Sequence, residues 1–425
     1  MAYLEQYDAL ADDREKVALV RGWIRTDAIP FFRELREHRP IFVTPGFTLV
    51  TRFPDVMEVL SHENIFSVRL YAPRMDPVVD GPFMLARDDT PVNWREKGIM
   101  QAVLRPEDLP DVREMAGRIA DESLDRNAQD GRIEVVSRLG RYVPIRLCGE
   151  YFGFPGPDLE TMYRWSRATQ FDMFKNLQND SVVHEESVRA GQEMMAYLKD
   201  LLDDKRAAVE HVQVNSHQDI FSRLIRTYFP AELDFDDHRI LANVAGLLIG
   251  AGETTSQAII QALEQILLRP DIQAQATDAA TRPDLGRFDR YVWEALRFNP
   301  INPLVFRYCE KDYKLAAGTQ RETLIPANAI VFACTASAMF DEYYVPDGSS
   351  FRMDRPDFIR LHFGFGHHTC LGRYVAGVMI PEVVRRILLR PEVSLLPPPH
   401  GGVDFQGGPF PERFTICIGA TVRKD

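Results

Sequence analysis

A chain of 425 residues, 45% hydrophobic and 26% charged, has an ordinary globular composition and ample length for a large core. Its net charge of −12 argues against a general nucleic-acid binder, and no apolar run of about 18 residues reads as a membrane span or anchor. Five widely spaced cysteines (Cys148, Cys309, Cys334, Cys370, Cys417) make no disulfide framework. The first twenty residues carry Glu5, Asp8, Asp12, Asp13 and Glu15 and no signal-peptide core, so the expectation is a cytoplasmic protein. Length alone suggests about two or three domains.

Residues 28–60 read helix, strand, strand, helix. Residues 29–37 have the spacing of a short amphipathic helix. Residues 40–43 and 47–52 alternate around Pro45-Gly46 and predict a β-hairpin. Residues 55–62 return to helical spacing. Residues 66–88 carry Pro73, Pro77, Gly81 and Pro82, which break any long element and predict an irregular loop. A loop of that length in a compact chain is often a lid or binding loop. A helix then opens, with Asp89 or Thr90 able to cap it and Pro91 suited to its first turn. Asn93 and Lys97 share one of its faces, a hydrogen-bond donor and a cation, with Trp94 and Arg95 beside them.

Residues 111–230 read as mostly helical, with candidate loops at 176–180 and 212–218. Phe171, Met173, Phe174 and Leu177 cluster near the first loop, as core or as the roof of a pocket. The longest predicted helix spans 237–268, capped by Asp236 or Asp237 and ended by Arg269-Pro270. It would be about 45 Å long. Its middle is apolar on nearly all sides and should be buried. Gly246, Gly250 and Gly252 each cost roughly 1 kcal/mol against alanine there. Close approach of a flat ligand or a local break would account for them. Glu253, Thr254 and Thr255 follow directly, and such groups are expensive in a buried helix unless partnered. Gly250 and Thr254 lie one turn apart on one face. A dinucleotide-binding loop is excluded, because its third glycine position holds Thr255.

Glu294 and Arg297 stand at i, i+3 on a predicted helix, a pairing that is usually surface decoration. Residues 298–303 break that helix, and 304–307 read as a strand. Asp354-Arg355-Pro356 and Leu361-His362 lead into Phe363-Gly364-Phe365-Gly366-His367-His368-Thr369-Cys370-Leu371-Gly372. The glycines permit turns and close backbone approach. Residues 373–389 have helical spacing, with a kink expected at Pro381. Cys370 therefore sits just before a helix N-terminus, where dipole and free N–H groups favour a thiolate, a metal ligand. A buried structural cysteine is the plainer alternative. A zinc site from His362, His367, His368 and Cys370 lacks a Cys-x-x-Cys or His-x-x-x-His pair. Gly401-Gly402 and residues 407–411 mark turns between short terminal strands.

Phe363, Gly366, Cys370 and Gly372 resemble, at every fixed position, the haem-binding loop Phe-x-x-Gly-x-x-x-Cys-x-Gly of the cytochrome P450 family. The resemblance implies one large, mainly α domain over residues 1–425 with a smaller β-rich part (α+β), overriding the count from length. It implies haem b (iron protoporphyrin IX) ligated by Cys370, with Phe363, Gly364, Gly366 and Gly372 shaping the loop and Gly250 facing the haem. His368 and Arg307 match positions that bond the haem propionates. Soluble members usually carry a histidine and an arginine where this chain has Asn93 and Lys97, so a bidentate grip is lost there. Residues 250–255 resemble the oxygen-activation motif, with Glu253 as acid and Thr254 as alcohol, although the family more often has Ala-Gly where Gly250-Ala251 stands. Glu294 and Arg297 match the family's structural pair.

The layout also places the 66–88 loop over the substrate and dips Pro409 and Phe410 into the pocket. Leu85, Gly246, Ile249, Leu304, Val305 and Phe410 are the candidate lining residues. All are apolar, which fits terpenoids, fatty acids, aromatics or macrocycles. The implied reaction places one atom of dioxygen in the substrate and releases the other as water. Electrons would come from a ferredoxin or flavodoxin-type donor with its reductase, because the chain has no flavin or iron–sulfur motif. The expected protein is a monomer. A peroxygenase would typically lose the acid–alcohol pair. A haem sensor or electron carrier would need neither that pair nor a covering loop.

Overall fold

A computed structural model of the chain describes residues 2–128, 130–176, 178–209 and 219–419. The chain opens with α1 (Tyr3–Asp8), α2 (Asp13–Thr26), α3 (Ala28–His38), β1 (Ile41–Val43), β2 (Thr48–Val50), α4 (Phe53–Ser61) and β3 (Phe66–Ser67). Helices dominate the middle of the chain: α5 (Ala72–Val79), α6 (Pro91–Val103), α7 (Leu109–Asn127), then the strand β4 (Arg132–Glu134), α8 (Tyr142–Glu150), α9 (Leu159–Gln170), α10 (Ser181–Val209), α11 (Ile220–Arg226), α12 (Asp237–Leu267), α13 (Pro270–Ala280) and α14 (Leu285–Phe298). The C-terminal part holds β5 (Val305–Cys309), β6 (Tyr313–Leu315), β7 (Thr323–Ile325), β8 (Ile330–Ala333), α15 (Thr335–Ala338), α16 (Arg373–Leu388), β9 (Ser394–Leu395) and β10 (Thr415–Cys417). The protein is thus mainly α with a smaller β part, as the resemblance implies.

Two compact units form. The first comprises Met1–Ala72, Leu85–Thr90 and Pro300–Cys370. Its five-stranded sheet has the order β1-β2-β8-β5-β3, in which β2 and β8 run parallel and the other pairs antiparallel. The expected hairpin is β1–β2, with Ile41 opposite Val50. Helix α4 packs on β8 and on the turn Gly366–His368. The second unit comprises Pro73–Met84, Pro91–Asn299 and Leu371–Asp425. Helix α12 is its axis, packed by α8, α9, α10, α13, α14 and α16, and a small sheet of order β4-β10-β9 lies in the same unit. The side chain of Asp236 accepts the N–H of Arg239, so the predicted cap holds.

The 66–88 region departs from its reading as an irregular loop. Eight of its residues form α5, with Pro77 inside. Pro73 falls in the first turn, where its missing N–H has no helical acceptor, and Pro77 removes a single rung. Asp80, at φ 51°, and Gly81 then end the element. The cluster member Leu177 and the candidate loop 212–218 lie outside the described residues. Helix α16 runs through Pro381 to Leu388.

Candidate functional site

In the first unit the cysteine loop is shaped by two glycines. Gly364 and Gly366 have φ of 69° and 71°, which side-chain-bearing residues resist. A Cβ on Gly366 would also stand 2.5 Å from the Leu60 carbonyl oxygen at the end of α4. The chain then folds back, with the Cys370 N–H donating to the Phe363 carbonyl at 2.9 Å and Thr369 N–H to Gly366 at 3.1 Å. Cys370 is exposed, whereas Cys148, Cys309 and Cys334 are buried. Burial pushes the Cys148 thiol up to about 12, so it stays protonated and inert. Gly372 is the N-cap residue of α16, so Cys370 stands just ahead of a helix start, as expected.

His368 and Arg307 meet around a residue that the sequence reading passed over. His368 Nε2 lies 3.0 Å from Asp88 Oδ1, and Asp88 also accepts the Val68 N–H at 3.0 Å. Burial holds the His368 imidazole below its ordinary value, with Asp88 opposing and Arg307 adding to the effect. Arg307, on β5, is 5% exposed, and burial pushes its guanidinium down, with Tyr71 and Asp88 opposing. Leu85 and Val305 are half-buried and Leu304 is buried in this unit.

In the second unit the three glycines of α12 have three separate reasons. A Cβ on Gly246 would come 2.6 Å from the Phe83 ring, so an aromatic side chain occupies the flank assigned to substrate. On Gly252 it would meet the Ser166 hydroxyl at 2.1 Å, which lets α9 press against α12. Gly250 is exposed and has no heavy atom within 4 Å of that position. Thr254, one turn on, is half-buried and donates to the Gly250 carbonyl. These two interrupt a stretch in which Leu247, Leu248, Ile249, Gly252, Glu253 and Thr255 are buried.

Two side chains of α9 grip the same turn. Ser166 Oγ accepts the Glu253 N–H at 3.1 Å, and the Gln170 amide donates to the Ile249 carbonyl. Residues 249 and 253 are the two ends of one i, i+4 rung. Glu253 is 2% exposed, and burial raises its carboxyl above the usual range, with Arg141 and Arg167 opposing. Phe410 is buried, 6.0 Å from Phe171 between ring centroids. The sequence could have flagged Ser166 and Gln170 only as two polar residues at i, i+4 on one face of α9.

Asn93 is fully buried and its amide donates to the Met84 carbonyl at 2.8 Å, which commits one of its two amide hydrogens to the backbone. Lys97 is half-buried on the same helix. Between them Glu96 is buried and takes Arg239 at 2.7 and 2.8 Å and Asn243 at 2.7 Å, a network that the sequence reading missed. Glu294 and Arg297 are both fully buried and joined by bonds of 2.8 and 3.0 Å, so the pair is internal, not surface decoration.

The residues present fit a haem. The loop offers one exposed sulfur on a glycine-shaped turn, and Arg307 is a buried cation that a propionate would balance. In the other unit Gly250 leaves an open flank beside an alcohol and a buried acid.

Residues 157–400, more than half of the chain, match the sequence pattern of the family described as Cytochrome P450. The chain is similar to the cyclomarin C epoxidase CymV of Salinispora arenicola, 28% identical over 81% of this chain and 84% of that protein. It is equally similar to the mycinamicin IV hydroxylase/epoxidase of Micromonospora griseorubida, 28% identical over 84% of this chain and 86% of that one. The crystal structure of CYP109E1 from Bacillus megaterium, in complex with testosterone, superposes with a TM-score of 0.76 at 20% identity, covering 96% of this chain and 99% of that one. At that identity the likeness concerns the fold alone.

Proposed function

The chain belongs to the cytochrome P450 family of haem monooxygenases, and from that premise we propose that it hydroxylates or epoxidises an apolar small molecule with electrons from a separate ferredoxin or flavodoxin-type donor. The similarity to a cyclomarin C epoxidase and a mycinamicin IV hydroxylase/epoxidase supports hydroxylation or epoxidation as the reaction. In this reading Cys370 ligates the haem iron, and His368 and Arg307 hold the propionates, with Lys97 as a further cation. Asn93 holds the backbone at Met84 with its amide. The haem supplies the activation of dioxygen, the thiolate enriching the iron in electron density.

The protein's own part is proton delivery and exclusion of water. Glu253 carries the proton, and the Thr254 hydroxyl passes it on at the open flank of Gly250. Ser166 and Gln170 fix the backbone from which both side chains project. Leu85, Ile249, Leu304, Val305 and Phe410 are the apolar residues offered to substrate. The observation that carries the reading is the face of exposed Gly250 and half-buried Thr254 in the middle of a largely buried helix. Thr254→Ala tests it, after a library screen for the substrate-induced shift of the haem band has supplied a substrate. The variant should keep haem and substrate binding, because the hydroxyl serves the reaction more than the bound ground state. Electron-donor consumption should continue while product falls and hydrogen peroxide appears. Unchanged product per electron donor would remove Thr254 from the proton path.

A further inference from the structure

Glu253 belongs to a cluster of two carboxylates and two guanidinium groups. Arg141, at the start of α8, places its Nε 3.2 Å from Glu253 Oε1, but out of line for a hydrogen bond. Neither Glu253 oxygen has a hydrogen-bond partner among the described residues. Arg141 turns its Nη2 instead to the Pro411 carbonyl at 2.9 Å and to Glu412 Oε2 at 3.1 Å. Arg167, on α9, donates to the other oxygen of Glu412. Tyr163, also on α9, lies within electrostatic reach of Glu253, Arg141, Arg138 and Tyr142; burial pushes its phenol up, so it stays neutral.

The two carboxylates are thereby driven apart. Burial raises Glu412, but the hydrogen bonds from Arg167 and Arg141 outweigh it and hold the group below its ordinary value. Burial raises Glu253, and the charge of Glu412 adds to the rise. Two nearby acids pushed in opposite directions divide into an ion and a proton carrier. We propose that Glu412 is a positioning residue for proton delivery: by engaging both guanidinium groups it leaves Glu253 able to hold a proton next to Thr254. This rests on the reading of Glu253 as the acid. Glu412 stands two residues after Phe410, and Arg167 touches both, lying 5.3 Å over the Phe410 ring. The acid is therefore tied to the loop that offers an apolar face to substrate.

The test is an infrared titration of the haem-loaded full chain, following the carboxylic-acid band that Glu253→Gln removes. In Glu412→Gln both arginines are free to turn to Glu253, and the band should titrate at a pH lower by about one unit or more, tenfold weaker proton binding. Glu412→Asp should restore the wild-type midpoint. If Glu412→Gln gives no folded haem protein, the charge-neutral double variant Arg167→Gln/Glu412→Gln decides, because it removes one charge of each sign and frees Arg141 to turn to Glu253. It too should shift the midpoint down. An unchanged or raised midpoint in whichever variant folds overturns the proposal, as does the absence of any Glu253 acid band in the wild type. The titration needs no substrate and no electron donor, so its result stands apart from that of the Thr254→Ala experiment.

Discussion

Glycine carries three different meanings within seven residues of α12. Gly246 accommodates Phe83, Gly252 accommodates Ser166, and Gly250 has nothing beside it. Alanine should therefore separate them in thermal unfolding of the purified proteins. Gly252→Ala forces a methyl onto a buried hydroxyl and should lose about 1–3 kcal/mol. Gly250→Ala meets no protein atom and should hold or gain up to about 1 kcal/mol of helix preference. Equal losses at both sites would mean that the open flank of Gly250 is filled by protein. The Glu294–Arg297 pair yields a second expectation at this scale. Both groups are fully buried, so Arg297→Ala leaves an uncompensated charge and should lose about 3–5 kcal/mol, with little haem-loaded protein recovered. Normal haem content and melting temperature in that variant would show the pair to be dispensable.

Among the elements, those whose determinants are local were legible in the sequence. Asp236 as the cap of α12, the hairpin around Pro45-Gly46, the strand that became β5 and the helix start after Gly372 all rest on spacing and capping within a few residues. The short strands β6, β7 and β8 were not legible, since three or four residues carry too little periodicity. Helix α5 was hidden because proline was weighed as a breaker, although only Pro77 stands where a rung is lost. The partners of the acid were hidden for another reason. Ser166, Gln170 and Arg141 reach α12 from other elements and Glu412 reaches Arg141, and no local pattern marks such pairings. The α9–α12 contact can be weighed on its own. Gln170→Met keeps volume but removes the donor to the Ile249 carbonyl, so it should cost about 1 kcal/mol in denaturant unfolding. A stability equal to wild type would show that the rung stands without its outside partner.

At the scale of the whole molecule, the resemblance in the cysteine loop carried most of the functional reading, and the fold agrees with it. The chain length and helical content alone would have fitted many proteins. What narrows the choice is that the loop backbone is committed to a turn that only glycine allows at Gly366, which leaves Cys370 exposed at the head of α16. The most direct test is the absorption spectrum of the reduced carbonyl complex, taken with haem and metal content per chain. One b-type haem per chain and the strongly red-shifted band of thiolate ligation, lost in Cys370→Ala, are the predicted result. A colourless protein that holds zinc, or a band at the position of histidine ligation in the wild type, would contradict it.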